Sequence, residues 1–230
     1  MRQFGAEWFA DAIVHTTGLF TGLIACLVLV FIAVRRARTA TVPSVKSRVM
    51  LALGLYGLGL MTMLTCSALY NLDVDHPGRA LLRRFDHAAI FMMIAGSISP
   101  FALLSVRGVH GLRLFAGIWA LAVTGIALKL FIPARFELFS LPAYVLLGWV
   151  MIVAYKPMRA AIPSPGLPLL AIGCVLYTTG VAVFLWDGLH YQLAIWHGIV
   201  LLAAACHFAS IVGYATGPTV VGWACSPEVG

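Results

Sequence analysis

Charge is what this chain has least of. Asp, Glu, Lys and Arg make up 10% of its 230 residues, against about 25% in soluble domains. That scarcity excludes a surface solvated by water over most of the molecule. Acids are the scarcer sign, eight against fifteen Lys and Arg. In so apolar a chain the resulting +7 is not a nucleic-acid footprint, because basic residues of membrane proteins sit in loops, where they set orientation and meet headgroups. Paired cysteines are absent as well. Cys26, Cys66, Cys174, Cys206 and Cys225 are isolated and no C-x-x-C occurs, which argues against a metal knuckle or dithiol centre and for apolar filler within helices. The apolar runs do not alternate with polar residues, so a β-barrel is excluded. No strand precedes GLFTG or GLYGLG, so these are close-packing small residues, not phosphate loops.

What is present is hydrocarbon. Hydrophobic residues reach 62% and mean hydropathy is +0.99. Seven apolar segments, roughly 10–34, 49–70, 87–106, 112–132, 138–155, 167–185 and 194–215, are each close to the ~20 residues a spanning helix needs. Backbone groups in lipid must be paired internally, so these runs are read as helices. The expected fold is an all-α membrane protein, a seven-transmembrane helix bundle forming one domain over 1–230. The first run is too long for a signal-peptide core and is read as a retained helix. Connectors are short, including RRARTATVPSVKSR after the first run and IPARFE between the fourth and fifth.

Seven crossings put the N-terminus and the second, fourth and sixth loops on one side. Seven of the eight acids fall there: Glu7, Asp11, Asp73, Asp75, Asp86, Glu137 and Asp187. So do His15, His76, His87, His190 and His197. One membrane face therefore collects the titratable groups. Nine Lys and Arg lie on the opposite side and six on this one, which favours an N-terminus outside.

The stretch Ser67–Phe101 holds most of the unusual polar residues. Ser67 and Asn71 share one helix face near its end. They either point into an inter-helix pocket or serve as a packing residue and a cap. Asp86, expected at the start of the third helix, is a site residue by its membrane depth, or an interfacial cap paired with Arg83 or Arg84. His197 opens the seventh helix as a ligand, a general base or a hydrogen-bonded histidine. His207, ten residues on, lies roughly 15 Å deeper and cannot share a metal with it. His15, His87 and His190 are on the side to reach the same pocket. Trp149, Tyr155, Tyr177, Trp186 and Trp196 are read as interfacial anchors.

Several motifs resemble one family: S-A-L-Y-N, L-R-R-F-D-H-A-A-I-F-M-M-I-A-G-S-I-S-P-F, L-K-L at 128–130, L-L-G-W at 146–149, L-Y-T-T-G at 176–180, and A-I-W-H…C-H-F at 194–208. The chain resembles the haemolysin III family, the bacterial branch of the progestin and adipoQ receptor group. The resemblance implies a seven-helix bundle with a polar cavity near one membrane surface. It also implies a zinc held by one histidine from helix 2 and two from helix 7, with a serine and an aspartate beside it. Carried over, the serine is Ser67, the aspartate Asp86 and the second helix-7 histidine His197. The other two ligand positions hold Asn71 and Leu193. An amide is a poor zinc ligand and leucine is none.

The expected function is therefore membrane or lipid homeostasis through a polar pocket. Ser67 and Asp86 are its candidate chemical residues, His15, Asn71, His87 and Leu193 its lining, and His197 the one retained histidine ligand. Resident metal is not expected. The alternatives are a zinc-dependent lipid-amide or ester hydrolase with rearranged ligands, and a pore-forming haemolysin. The partners expected are membrane lipids, one of them a substrate in the hydrolase reading, and not nucleic acid. The location expected is the bacterial cytoplasmic membrane. The resemblance to adiponectin receptors implies a cytoplasmic N-terminus, against the charge count.

Overall fold

The computed structural model describes residues 5–40, 42–106, 108–150, 159 and 166–217. Seven helices carry them: α1 (Ala6–Thr39), α2 (Pro43–Leu72), α3 (Arg79–Leu104), α4 (Gly108–Phe131), α5 (Pro133–Trp149), α6 (Gly166–Phe184) and α7 (Gln192–Thr216). No strand occurs among the described residues. Six of the helices are long and apolar enough to cross a membrane, and α5 has the shorter apolar stretch Phe139–Trp149. Phe20, Leu23, Leu27 and Phe31 of α1 are each more than half exposed, as side chains that face lipid are. This is an integral, multi-pass membrane protein.

The helices outrun the apolar segments, for a simple reason. Apolar runs mark the part of a helix that sits in lipid, whereas backbone hydrogen bonding continues into the polar flanks. At about 1.5 Å per residue, the 34 residues of α1 reach about 51 Å, well beyond a hydrocarbon core of about 30 Å. The block RRART completes α1, and only residues 40–42 separate its end from Pro43. Two expectations change with this. IPARFE is not a loop: Pro133 opens α5, where a fixed φ and a missing N–H suit the first turn. Asp86 is not at the start of α3 but seven residues beyond Arg79, about 10 Å along the helix. Residues 151–155 of the expected fifth segment lie outside the described residues.

α3 is the central helix. Over its most apolar stretch 78% of residues are buried, against 22–44% for the other five long helices. It packs against α2, α4, α5 and α7, while α1 packs on α2 and α7, and α6 on α7. Small residues permit the closest approach. A Cβ on Gly96 of α3 would meet the Leu55 carbonyl oxygen of α2 at 2.8 Å, and one on Gly22 of α1 would meet a Leu64 methyl at 2.4 Å. Helices in lipid gain little from hydrophobic exclusion, so such close contact is what holds them together. Polar groups add ties. Trp119 Nε1 donates to Ser99 Oγ at 2.9 Å. Tyr214 OH donates to the Leu104 carbonyl at the end of α3, satisfying one of the last-turn acceptors a helix leaves open.

A candidate polar site between α1, α2, α3 and α7

Antiparallel threading brings the first turns of α1, α3 and α7 to the same membrane face as the last turns of α2. The α6–α7 turn sets where α7 begins. Gly188 has φ +83 and Tyr191 φ +58, a backbone region that glycine enters freely and tyrosine does not. Gln192 Nε2 donates to the Phe184 carbonyl at 2.7 Å, closing the open end of α6. The Tyr191 N–H donates to Glu7 Oε1 at 3.1 Å, which pins the start of α7 to the first turn of α1.

One turn further in, α1 and α7 meet through a carboxyl–imidazole contact. His197 Nδ1 lies 2.6 Å from Asp11 Oδ1, and the His15 and His197 rings are 4.4 Å apart between centroids. Asp11 is 5% and His15 6% exposed. His15 Nδ1 is 2.9 Å from the Asp11 backbone oxygen. A carbonyl can only accept, so Nδ1 carries the proton and the Nε2 lone pair of the neutral ring is left to face the site. There it meets Ser67 Oγ at 3.2 Å. Asn71 Nδ2 donates to the Ser67 carbonyl at 2.9 Å and to Ser67 Oγ at 3.3 Å. Asp86 also hydrogen-bonds Ser67 and lies within electrostatic reach of His197. The single proton of the Ser67 hydroxyl therefore has two claimants, His15 Nε2 and Asp86.

The opposite wall comes from α3 and α5, with Lys129 of α4 behind it. Lys129 Nζ is 3.3 Å from His87 Nδ1, and Tyr144 OH donates to the His87 carbonyl at 2.8 Å. Between the walls is a cavity of about 360 Å³. Met63, Ile90, Leu141, Tyr144, Trp196 and Val200 line both it and a smaller apolar cavity of about 100 Å³, which extends along α3, α5, α6 and α7 to His207. A polar chamber at one end and an apolar one at the other thus share a wall.

Ser67, Asp86, His15, Asn71, His87, Leu193 and His197 all line the larger cavity. His190 does not, and is exposed. Arg84 donates to the Leu130 carbonyl at 3.3 Å. Trp149, Tyr177 and Trp196 line the cavities, so for these three the reading as interfacial anchors is corrected. Trp186, 63% exposed, fits that reading, and Tyr155 lies outside the described residues. The residue that sequence reasoning passed over is Asp11. Its signal was available, an acid one helical turn before His15 on the same face. Lys129 was likewise given no place in the site.

The residues can be tested against a zinc ion. The three-histidine set implied by the resemblance does not fit, because Asn71 has its amide turned to Ser67 and Leu193 is an apolar lining residue. A different set could hold a metal ion. Asp11, His15 and His197 each offer a ligand atom, all within 4.8 Å of one another. Two imidazoles and a carboxylate form a donor set used for zinc.

Comparison with known proteins agrees with the motifs. The Haemolysin-III related family profile matches residues 9–208. The chain is 35% identical to Hemolysin-3 of Bacillus cereus over 215 residues, covering 93% of this chain and 94% of that protein. It is 31% identical to the Hemolysin-3 homolog of Bacillus subtilis (strain 168) over 208 residues, 90% of this chain and 94% of the relative. It is also 26% identical to the human Monocyte to macrophage differentiation factor over 170 residues, 70% of this chain and 68% of that one. With the family profile spanning most of its length, this chain belongs to the haemolysin III family.

Proposed function

We propose that this protein serves membrane-lipid homeostasis by admitting a lipid into the paired chambers, from a position in the bacterial cytoplasmic membrane with all seven helices crossing. The observation that carries this reading is the shared wall between the polar cavity and the apolar one. An amphiphile has the matching division: its headgroup meets Ser67, Asp86 and His87, and its chain lies against Ile90, Trp196 and Val200. Pockets of this kind bind by apolar burial and take their specificity from a few placed polar groups. The test is complementation of a deletion strain with lipid profiling by mass spectrometry. Asp86→Ala and His197→Ala at normal expression should fail to restore the lipid profile. Full restoration by both would refute the reading.

A second reading is favoured by the Asp11, His15 and His197 cluster, namely a hydrolase of lipid amides or esters. Zinc, when bound, polarises a carbonyl and makes water a competent nucleophile near neutral pH. The chain's own residues would do the rest. Asp86 and Ser67 would orient the water and take its proton, while the apolar chamber holds the acyl chain and keeps bulk water out. Release of a labelled fatty acid from an acyl-amide or ester probe, lost on Asp86→Asn, is the expected outcome. No release from the zinc-loaded protein would remove this reading and leave the first intact.

A further inference from the structure

Asp11 is the acid of this site that the family resemblance does not assign. It is buried on α1, a helix that otherwise presents mostly lipid-facing side chains. A buried carboxylate must be paired or bound to a cation. Its neighbours are the two imidazoles of His15 and His197, at 3.5 and 2.6 Å.

The second observation is the way His15 is held. Its Nδ1–H is fixed on the Asp11 backbone carbonyl at 2.9 Å. Metal-ligating histidines almost always anchor their far nitrogen on a carbonyl or carboxylate in this way, which fixes the tautomer and aims the other nitrogen at the metal. His15 Nε2 is aimed at the cavity, where its partner is a hydroxyl contested by Asp86. A cation taking that lone pair would release the Ser67 proton to Asp86 and settle the contest.

From these we infer that the chain binds one divalent first-row metal, zinc foremost, through Asp11, His15 and His197. The metal site would thus be built on α1 and α7, and the α2 position held by Asn71 would not be a ligand. Tetrahedral donors at about 2.1 Å from zinc lie about 3.4 Å apart. One ligand atom from each residue already lies within 4.8 Å of the others, so the three converge on that spacing through side-chain movement. Ser67 and Asp86 lie beside the His15 nitrogen that faces the cavity. With one carboxylate and two imidazoles, the site should also accept cobalt(II) and iron(II) and should reject magnesium and calcium, which favour oxygen donors. The inference deepens the hydrolase reading by naming its metal ligands, yet binding is measured without turnover, so either can fail alone.

The test uses the full chain purified in detergent, stripped with chelator, and titrated with zinc chloride by calorimetry. Cobalt chloride is followed in parallel by visible absorption. Expected are one zinc per chain and the visible bands of four-coordinate cobalt. Asp11→Asn and His15→Gln should each weaken zinc affinity at least 100-fold, while Asn71→Ala and Leu193→Ala leave it within a few-fold. Variants are compared only where gel filtration gives the native elution volume. Should one not fold, the cobalt spectrum of the unaltered chain decides in its place. A zinc stoichiometry near zero, the octahedral spectrum of hydrated cobalt, or native affinity in Asp11→Asn would overturn the inference.

Discussion

Lys129 shows most plainly what one residue can determine. It is 1% exposed, in a helix that faces lipid over most of its length, and a charge at membrane depth is retained only with a purpose. Its ammonium can only donate, so His87 Nδ1, 3.3 Å away, is the acceptor and the proton of the neutral ring sits on Nε2. His87 lines the cavity, so its tautomer belongs to the chemistry of that wall. Nitrogen-15 NMR of labelled histidine should place His87 in the Nε2–H form, and Lys129→Met should shift that signal toward tautomer averaging. An unchanged spectrum would make Lys129 a packing residue only. Asp11 supports a second prediction at this scale. Leaving a buried hydrogen-bonding group without its partner costs about 1–3 kcal/mol. Asp11→Ala, which strips the partner of His197 in a 5%-exposed position, should lower unfolding stability in detergent by about that amount.

At the scale of the element, glycine positions decide which faces meet. Gly96 sits 2.8 Å, as a Cβ would measure it, from the Leu55 carbonyl, a backbone atom that cannot swing away. Gly96→Leu should therefore part α2 from α3 and destabilise by about 1–3 kcal/mol or more. Gly54, on α2 with nothing within 4 Å, is the control. Gly54→Ala should be neutral or gain up to about 1 kcal/mol from helix propensity. Thermal unfolding of the two variants in one detergent compares them directly. The apolar runs located every one of these helices in the sequence, but not their ends. Polar flanks such as RRART and PARFE carry no hydropathy signal and still continue the hydrogen-bond ladder. For the same reason Asp86 was expected at a helix start and is found two turns inside.

At the scale of the whole molecule, the open question is which face of the membrane the cavity serves. With seven crossings, nine basic residues would fall on the side away from the N-terminus and six on its side, which expects the C-terminus in the cytoplasm. A C-terminal fluorescent fusion should then be bright and an alkaline phosphatase fusion inactive. The reverse pattern would turn the site toward the cytoplasm. The joined chambers make a further prediction. Val200 lies on the wall common to both, so Val200→Trp should block the passage and abolish thermal stabilisation by a long-chain lipid, while sparing stabilisation by zinc.

The sequence by itself determined that the chain lives in lipid, that its runs are helices, and that alternate helix ends gather the acids and histidines on one face. Those conclusions need only the requirement that backbone groups in hydrocarbon pair internally, and the parity of short connectors. It also placed Ser67, Asp86 and His197 on that face. Only the tertiary structure decided that Asp11 touches His197 across 186 residues, or that Lys129 stands behind His87. The physical reason is rotational. In a soluble helix the polar side announces which side is buried. Here the lipid-facing and bundle-facing sides are both apolar, so the pattern leaves each helix's rotation about its axis unspecified. That rotation is set by close contacts such as Gly22 on Leu64 and Gly96 on Leu55, and it is the rotation that turns a face rich in acids and histidines into a site.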